Sequence, residues 1–239
     1  MNYFDEYTKN YDMTVPEIAY KYYHSYRVMD NMITLAKSQN LEAKDVELAK
    51  YIGLLHDIGR FEQFKEFKTF KDIDIDHGTF GETILRENNA LSNFDIPKED
   101  YEVVYKSIRN HNKFVIEPNL NKRELFFAKM IRDADKLDIL YALGNPSIKW
   151  ILKEDSSRIS DRVKNSFYNH QQCKNDGSET KNDDLITIFS FVYDINFNAS
   201  LKIIESKQYY EKIYERLRNK ELFKPYFEYT KKYIKERTR

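Results

Sequence analysis

Apolar positions recur every three to four residues over long stretches of this chain, with polar positions filling the faces between them. Ala49, Ile52, Gly53 and His56 follow the i, i+3, i+4, i+7 rule of a helix that buries one stripe. The stripe predicts a helix over Asp45 to Ile58 that ends its buried face on His56, with Gly59 just past the helix end. Small residues at 49 and 53 leave room for a second helix to approach closely. Upstream, Thr14-Val15-Pro16-Glu17 reads as a helix start with Thr14 as N-cap, and the helix runs to about Gln39 with His24 inside it. Residues 1–13 are polar and aromatic without a clear period.

Phe61, Phe64, Phe67 and Phe70 alternate with charge and predict a short helix or structured loop, with the rings as packing for a lid over a site. His77-Gly78 opens a helix to about Asn88, with Phe80, Ile84 and Leu85 inward. Asp95-Ile96-Pro97 starts the next, which ends near Asn110-His111-Asn112. Phe127, Met130, Ala134, Leu137 and Tyr141 at turn spacing predict a helix over Arg123 to Leu143, with Asp135 on the neighbouring stripe.

After Gly144-Asn145-Pro146 the character changes. One or two helices are expected over Ile148 to Cys173, then an exposed loop over Lys174 to Asp184. A long amphipathic helix follows over Leu185 to Leu217, with a break near Asn196-Phe197-Asn198, and a last one over Phe223 to Ile234. Six glycines and five prolines in 239 residues leave few turns, so the fold class read here is all-α. The expected division is a helical core at 1–145 and a C-terminal helical extension at 146–239 packing on it.

Composition narrows the function classes. Lysine plus arginine (39) equals aspartate plus glutamate (39), whereas a dedicated nucleic-acid binder usually carries a basic excess. The single cysteine, Cys173, excludes an internal disulfide framework and fits a reducing compartment. The start lacks a signal-peptide pattern. The longest apolar run, Leu185 to Tyr193, is short of the roughly 20 residues a bilayer needs. The chain therefore reads as soluble and cytoplasmic, without a membrane partner. Its tyrosine-rich C-terminal helices read as core or as a homodimer surface.

The candidate chemistry lies in His24, His56, Asp57, His77, His111 and Asp135, a set holding four of the five histidines. Several histidines facing one interior would each need a buried partner, and a metal serves them all. Imidazole and carboxylate suit a divalent ion such as Mn, Fe, Co, Ni, Zn or Mg. Neighbours on a helix diverge by about 100°, so His56 and Asp57 can share one ion only from a helix end or by a side-on approach. The two oxygens of Asp57 can also bridge two ions. Asp72, Asp74 and Asp76 lack the glycine and closing glutamate of a calcium loop and read as a solvated acidic turn. His170 and Cys173 lack partner cysteines and read as surface.

The order His24 … His56-Asp57 … Asp135 resembles the HD-domain superfamily of metal-dependent phosphohydrolases. Gly-Leu-Leu-His-Asp-Ile-Gly-Arg (53–60) and Arg-Asp-Ala-Asp-Lys-Leu-Asp (132–138) look like its two most recognisable motifs. Asp76-His77-Gly78 and Arg109-Asn110-His111-Asn112 resemble the intermediate histidine motifs of its two-metal members. The resemblance covers about residues 18–143. It implies an all-helical fold with a first ion on His24, His56, Asp57 and Asp135 and a second on Asp57, His77 and His111. It also implies hydrolysis of a phosphomonoester or phosphodiester, often of a nucleotide. Asp57, Arg60 and Lys136 form the expected catalytic set, with Arg60 and Lys136 as phosphate contacts. Asp133 is a second-layer group, a substrate contact or a salt-bridge partner. No Gly-Tyr-Pro string follows His111, which argues against the cyclic-di-nucleotide phosphodiesterase subgroup. Two other readings use the same residues: a di-iron oxygenase, and a scaffolding module with a structural metal.

Overall fold

In the computed structural model, which describes residues 3–70, 72, 75–148, 155, 158–173 and 179–239, every regular element among the described residues is helical. None of these helices is long and apolar enough to cross a membrane. The chain forms two compact units, Met1–Asp135 and Lys136–Arg239.

The first unit opens on a helix that the polar pattern did not announce, α1 (Tyr3–Thr8). Tertiary contact accounts for it. Phe4 is fully buried, its ring against Tyr22, Tyr26 and Phe61 at centroid distances of 5.8–5.9 Å. The Asp5 carboxylate accepts hydrogen bonds from the hydroxyls of Tyr22 (3.0 Å) and Tyr26 (2.5 Å). Phe61 therefore packs under α1 rather than in a lid, contrary to the sequence reading, and Phe67 is exposed.

Pro16 starts α2 (Pro16–Ser38). Its cap is Val15 rather than Thr14, because the Thr14 hydroxyl donates to Asp12 at 2.6 Å and closes a local turn instead. Helix α3 (Ala43–Leu55) stops before His56, and α4 (Ile58–Phe67) begins after Asp57. Gly53 admits the close α2–α3 packing foreseen from its size: a Cβ there would lie 2.7 Å from Met29 Cα. Gly59 is not a helix terminator. It lies inside α4, where the backbone of α5 (His77–Glu87) crosses too closely for any Cβ. Next come α6 (Tyr101–Asn110), entered through a 3-10 turn at Lys98–Asp100, and α7 (Lys122–Gly144), which runs across the division between the units.

In the second unit the helix expected over Leu185 to Leu217 is several pieces, interrupted near Asn196 where a break was expected and again at Gln208 where none was. They are α9 (Lys181–Phe189) with a 3-10 turn at Ser190–Asp194, α10 (Asn198–Ser206) and α11 (Tyr209–Arg216), preceded by α8 (Asp161–Tyr168) and followed by α12 (Lys220–Thr238). Gln208 takes a left-handed conformation (φ 54°) between α10 and α11. Asn182 and Asp183 are buried rather than exposed. Thr180 caps α9, and the Asp183 carboxylate accepts from the amides of Ser160 (2.8 Å) and Glu179 (3.0 Å). Cys173 is also buried, with its amide on Ser190 Oγ, while His170 stays at the surface beside Tyr229. The remaining expectations over 149–154, 156–157 and 174–178 lie outside the described residues.

Candidate metal centre

Five places in the first unit deliver the six predicted donors. His24 comes from α2, His56 and Asp57 from the two-residue elbow between α3 and α4, and His77 is the first residue of α5. His111 directly follows α6, and Asp135 lies on α7. The elbow resolves the problem of adjacent ligands: Asp57 leaves helical geometry (φ −103°, ψ 17°), so both side chains turn to the same side. Arg132, itself buried, donates to the carbonyls of Asn110, His111 and Lys113 and fixes the end of α6 on the helix that carries Asp135. Asn31 of α2 donates to the Ala134 carbonyl at 3.0 Å.

The donors form two groups that share Asp57. Around Oδ2 stand His24 Nε2 at 3.3 Å and His56 Nε2 at 3.5 Å. The two nitrogens are 3.2 Å apart, and Asp135 Oδ1 lies 3.2 Å from His24 Nε2 and 3.8 Å from His56 Nε2. Around Oδ1 stand His77 Nε2 at 3.3 Å and His111 Nε2 at 3.5 Å, themselves 2.9 Å apart. Metal–ligand bonds of about 2.0–2.1 Å place neighbouring donors roughly 3.0–3.4 Å apart, so both groups have the size of a coordination shell.

Protonation makes the case for a cation. His56 Nδ1 faces the Gly53 carbonyl at 2.8 Å, and His111 Nδ1 faces the Ile108 carbonyl at 2.6 Å. His77 Nδ1 faces the Asp72 carboxylate at 2.7 Å. These partners only accept, so each Nδ1 carries the proton and each Nε2 is left as a lone pair. His77 and His111 thus point two lone pairs at each other and at Asp57 Oδ1. Only a cation or extra protons can satisfy three facing acceptors. Burial pushes the His111 imidazole down to about 4 despite the pull of Asp57, which works against a second proton on that ring at neutral pH. The donor set therefore fits divalent metal at both places.

One cation of the chain already reaches the centre. Lys21 Nζ lies 2.5 Å from Asp57 Oδ2. Burial would raise the Asp57 carboxyl, but it lies well below the usual carboxylate range, with the charge of Lys21 as the largest pull in that direction. An ion taking Oδ2 does the same job with twice the charge. Lys21→Met is therefore expected to destabilise the metal-free protein by about 3 kcal/mol, roughly 6–12 °C in Tm, and the ion-loaded protein far less. Melting curves with chelator and with added Mn²⁺ check this; equal losses in both would show that Lys21 does not stand in for an ion.

The other predicted residues are placed as follows. Arg60 Nη1 donates to Gln63, the Phe70 carbonyl and Asp72 Oδ1, and its Nε lies 3.8 Å from Asp57 Oδ1. Lys136 Nζ lies 2.6 Å from Asp194 Oδ2 within the second unit. Asp133 has no exposed surface. Sequence reasoning missed Lys21 and Asp72. Lys21 carries a weak signal, lying three residues before His24 on the same helix face. Asp72 carries none beyond its acidic neighbours, and the solvated turn expected there is otherwise employed: Asp76 caps α5 through the Thr79 amide at 2.7 Å, and Asp74 lies outside the described residues.

A family model for the HD domain matches residues 22–140, a span that contains all six donors. Comparison with curated proteins gave no match, and comparison with solved structures gave none. Proteins with an HD domain bind divalent metals, and the histidines and aspartates gathered here can do so. The residues that converge in the first unit are those the domain match spans, and this chain belongs to the HD-domain superfamily.

Proposed function

We propose that this protein hydrolyses phosphate esters, as a phosphomonoesterase or phosphodiesterase acting on a small phosphorylated substrate such as a nucleotide, with two divalent ions at the centre. The observation that carries this reading is the division of Asp57, one oxygen toward His24 and His56 and the other toward His77 and His111. Divalent ions held there supply Lewis-acid polarisation of a phosphoryl oxygen and a water acidic enough to attack near neutral pH. The chain's own part is orientation. Asp57 fixes the spacing of the two groups, and the Nδ1 hydrogen bonds of His56, His77 and His111 keep the rings from turning. The group around Oδ1 offers three protein donors, which leaves open positions, whereas a structural site is usually closed by four.

Arg60 is our choice for a phosphate contact. Its Nε has no hydrogen-bond partner and faces the Asp57 side of the guanidinium, so it can donate to an oxygen brought beside that carboxylate. The burial of Asp133 favours a role behind the ligands over one against substrate.

The test is a panel of phosphomonoesters and phosphodiesters with Mn²⁺, Co²⁺ or Mg²⁺, beside His56→Ala. Turnover that disappears with chelator and in His56→Ala is expected. No turnover under any divalent ion, with Tm still falling on metal removal, would leave the scaffolding reading in its place.

A further inference from the structure

We infer that Asp72 is a positioning residue for the Oδ1 group: its carboxylate accepts a hydrogen bond from Nδ1–H of His77, holds the proton on that nitrogen and so keeps the Nε2 lone pair aimed at a divalent cation. This rests on the two-ion reading above.

The two oxygens of Asp72 have different tasks. Oδ2 lies 2.7 Å from His77 Nδ1. Oδ1 accepts from Arg60 Nη1 at 2.9 Å and from Gln63 Nε2 at 3.2 Å, and Arg60 Nη1 is bonded in turn to Gln63 Oε1 at 2.8 Å. Both clamping residues lie on α4, the helix that starts directly after Asp57. The bridging aspartate and the histidine it faces are thereby tied to one rigid element.

His77 differs from His56 and His111 in what stands behind it. Those two lean on main-chain carbonyls, which no substitution removes. His77 leans on a side chain, and a competitor waits: Asn112 Nδ2 lies 3.2 Å from the same Nδ1. With Asp72 in place the nearer, acceptor-only carboxylate decides that Nδ1 holds the proton. Without it the Asn112 amide donates to Nδ1, the proton moves to Nε2, and the donor toward the ion is lost. A carboxylate behind the ring also makes the ligand more basic.

Titration of the metal-free protein with Co²⁺, followed by visible absorption and by ion content after desalting, tests this in Asp72→Ala and in the isosteric Asp72→Asn. The wild type is expected to take two equivalents. Asp72→Ala should bind the first as the wild type does and the second about 10–100-fold more weakly. Asp72→Asn should fall between them, because its amide oxygen can still accept a hydrogen bond from Nδ1–H. Two ions bound at wild-type affinity in Asp72→Ala would overturn the inference. Equal weakening of both ions in folded protein would overturn it too, since that is a general structural effect. A wild type that takes one ion only would sink the two-ion reading itself and the inference with it.

Discussion

Asp57→Asn is expected to release both ions where other ligand substitutions release one. The change keeps the shape and replaces two anionic oxygens by one neutral oxygen and an NH₂ group. The Oδ1 group then consists of two neutral histidines and no charge, and the Oδ2 group keeps Asp135 as its only anion. The loss of affinity should exceed the 10–100-fold typical of an outer partner, and turnover of any ester should disappear with the ions. His111→Ala serves as comparison, since its Nε2 is paired with Oδ1 of Asp57 at 3.5 Å. In chelator the variant carries a second penalty, because Lys21 then faces a neutral amide; breaking a buried pair costs about 3–5 kcal/mol, with the low end expected here because Lys21 can swing toward solvent. Metal analysis after desalting reads the main effect. One ion retained at wild-type affinity would show that Asp57 serves a single group.

Gly59→Ala should damage the same centre without touching a ligand. The added Cβ would lie 2.5 Å from the His77 carbonyl and 2.8 Å from the Gly81 amide nitrogen, both main-chain atoms that no rotamer change can move aside. Helices α4 and α5 must separate, and His77, as the first residue of α5, moves with them. Overpacking of this kind costs about 1–3 kcal/mol, roughly 2–12 °C in Tm, with loss of the ion beside Asp57 Oδ1 as the functional trace. Gly81→Ala is the control, because nothing lies closer than 3.4 Å to its Cβ. A Gly59→Ala protein that melts like the wild type and holds two ions would refute the close-crossing account.

The sequence carried the donors well and their supports poorly, for a physical reason. His24, His56, Asp57, His77, His111 and Asp135 declare themselves by residue type and order, and each falls on or beside a helix whose period is plain. Lys21 and Asp72 are ordinary surface residues until the fold brings them to Asp57 and His77. Helix bodies such as α7 follow from apolar spacing, but ends and interruptions answer to tertiary contact. Gly59 reads as a terminator in one dimension and proves to be a crossing point in three. The α1 helix shows no period of its own, and Tyr22, Tyr26 and Phe61 hold it from outside through Phe4. The break near Asn196 was legible, but the one at Gln208 falls in a stretch whose hydrophobic pattern continues through it, so periodicity alone read past it.

The elbow at His56-Asp57 has a consequence for how the first unit comes apart. Its side chains meet partners from α2, α5, α6 and α7, which span residues 24 to 135. An ion held there acts as a cross-link between distant parts of the chain, and closing so long a loop costs little more entropy than closing a short one. Because the ion binds the folded arrangement and not the separated chain, it adds about 2.7 kcal/mol at a concentration 100 times its Kd. Any opening that parts one of these helices from the elbow surrenders that gain. Partial openings are penalised along with complete ones, and amide hydrogens on the four helices are driven to exchange together through unfolding of the unit as a whole.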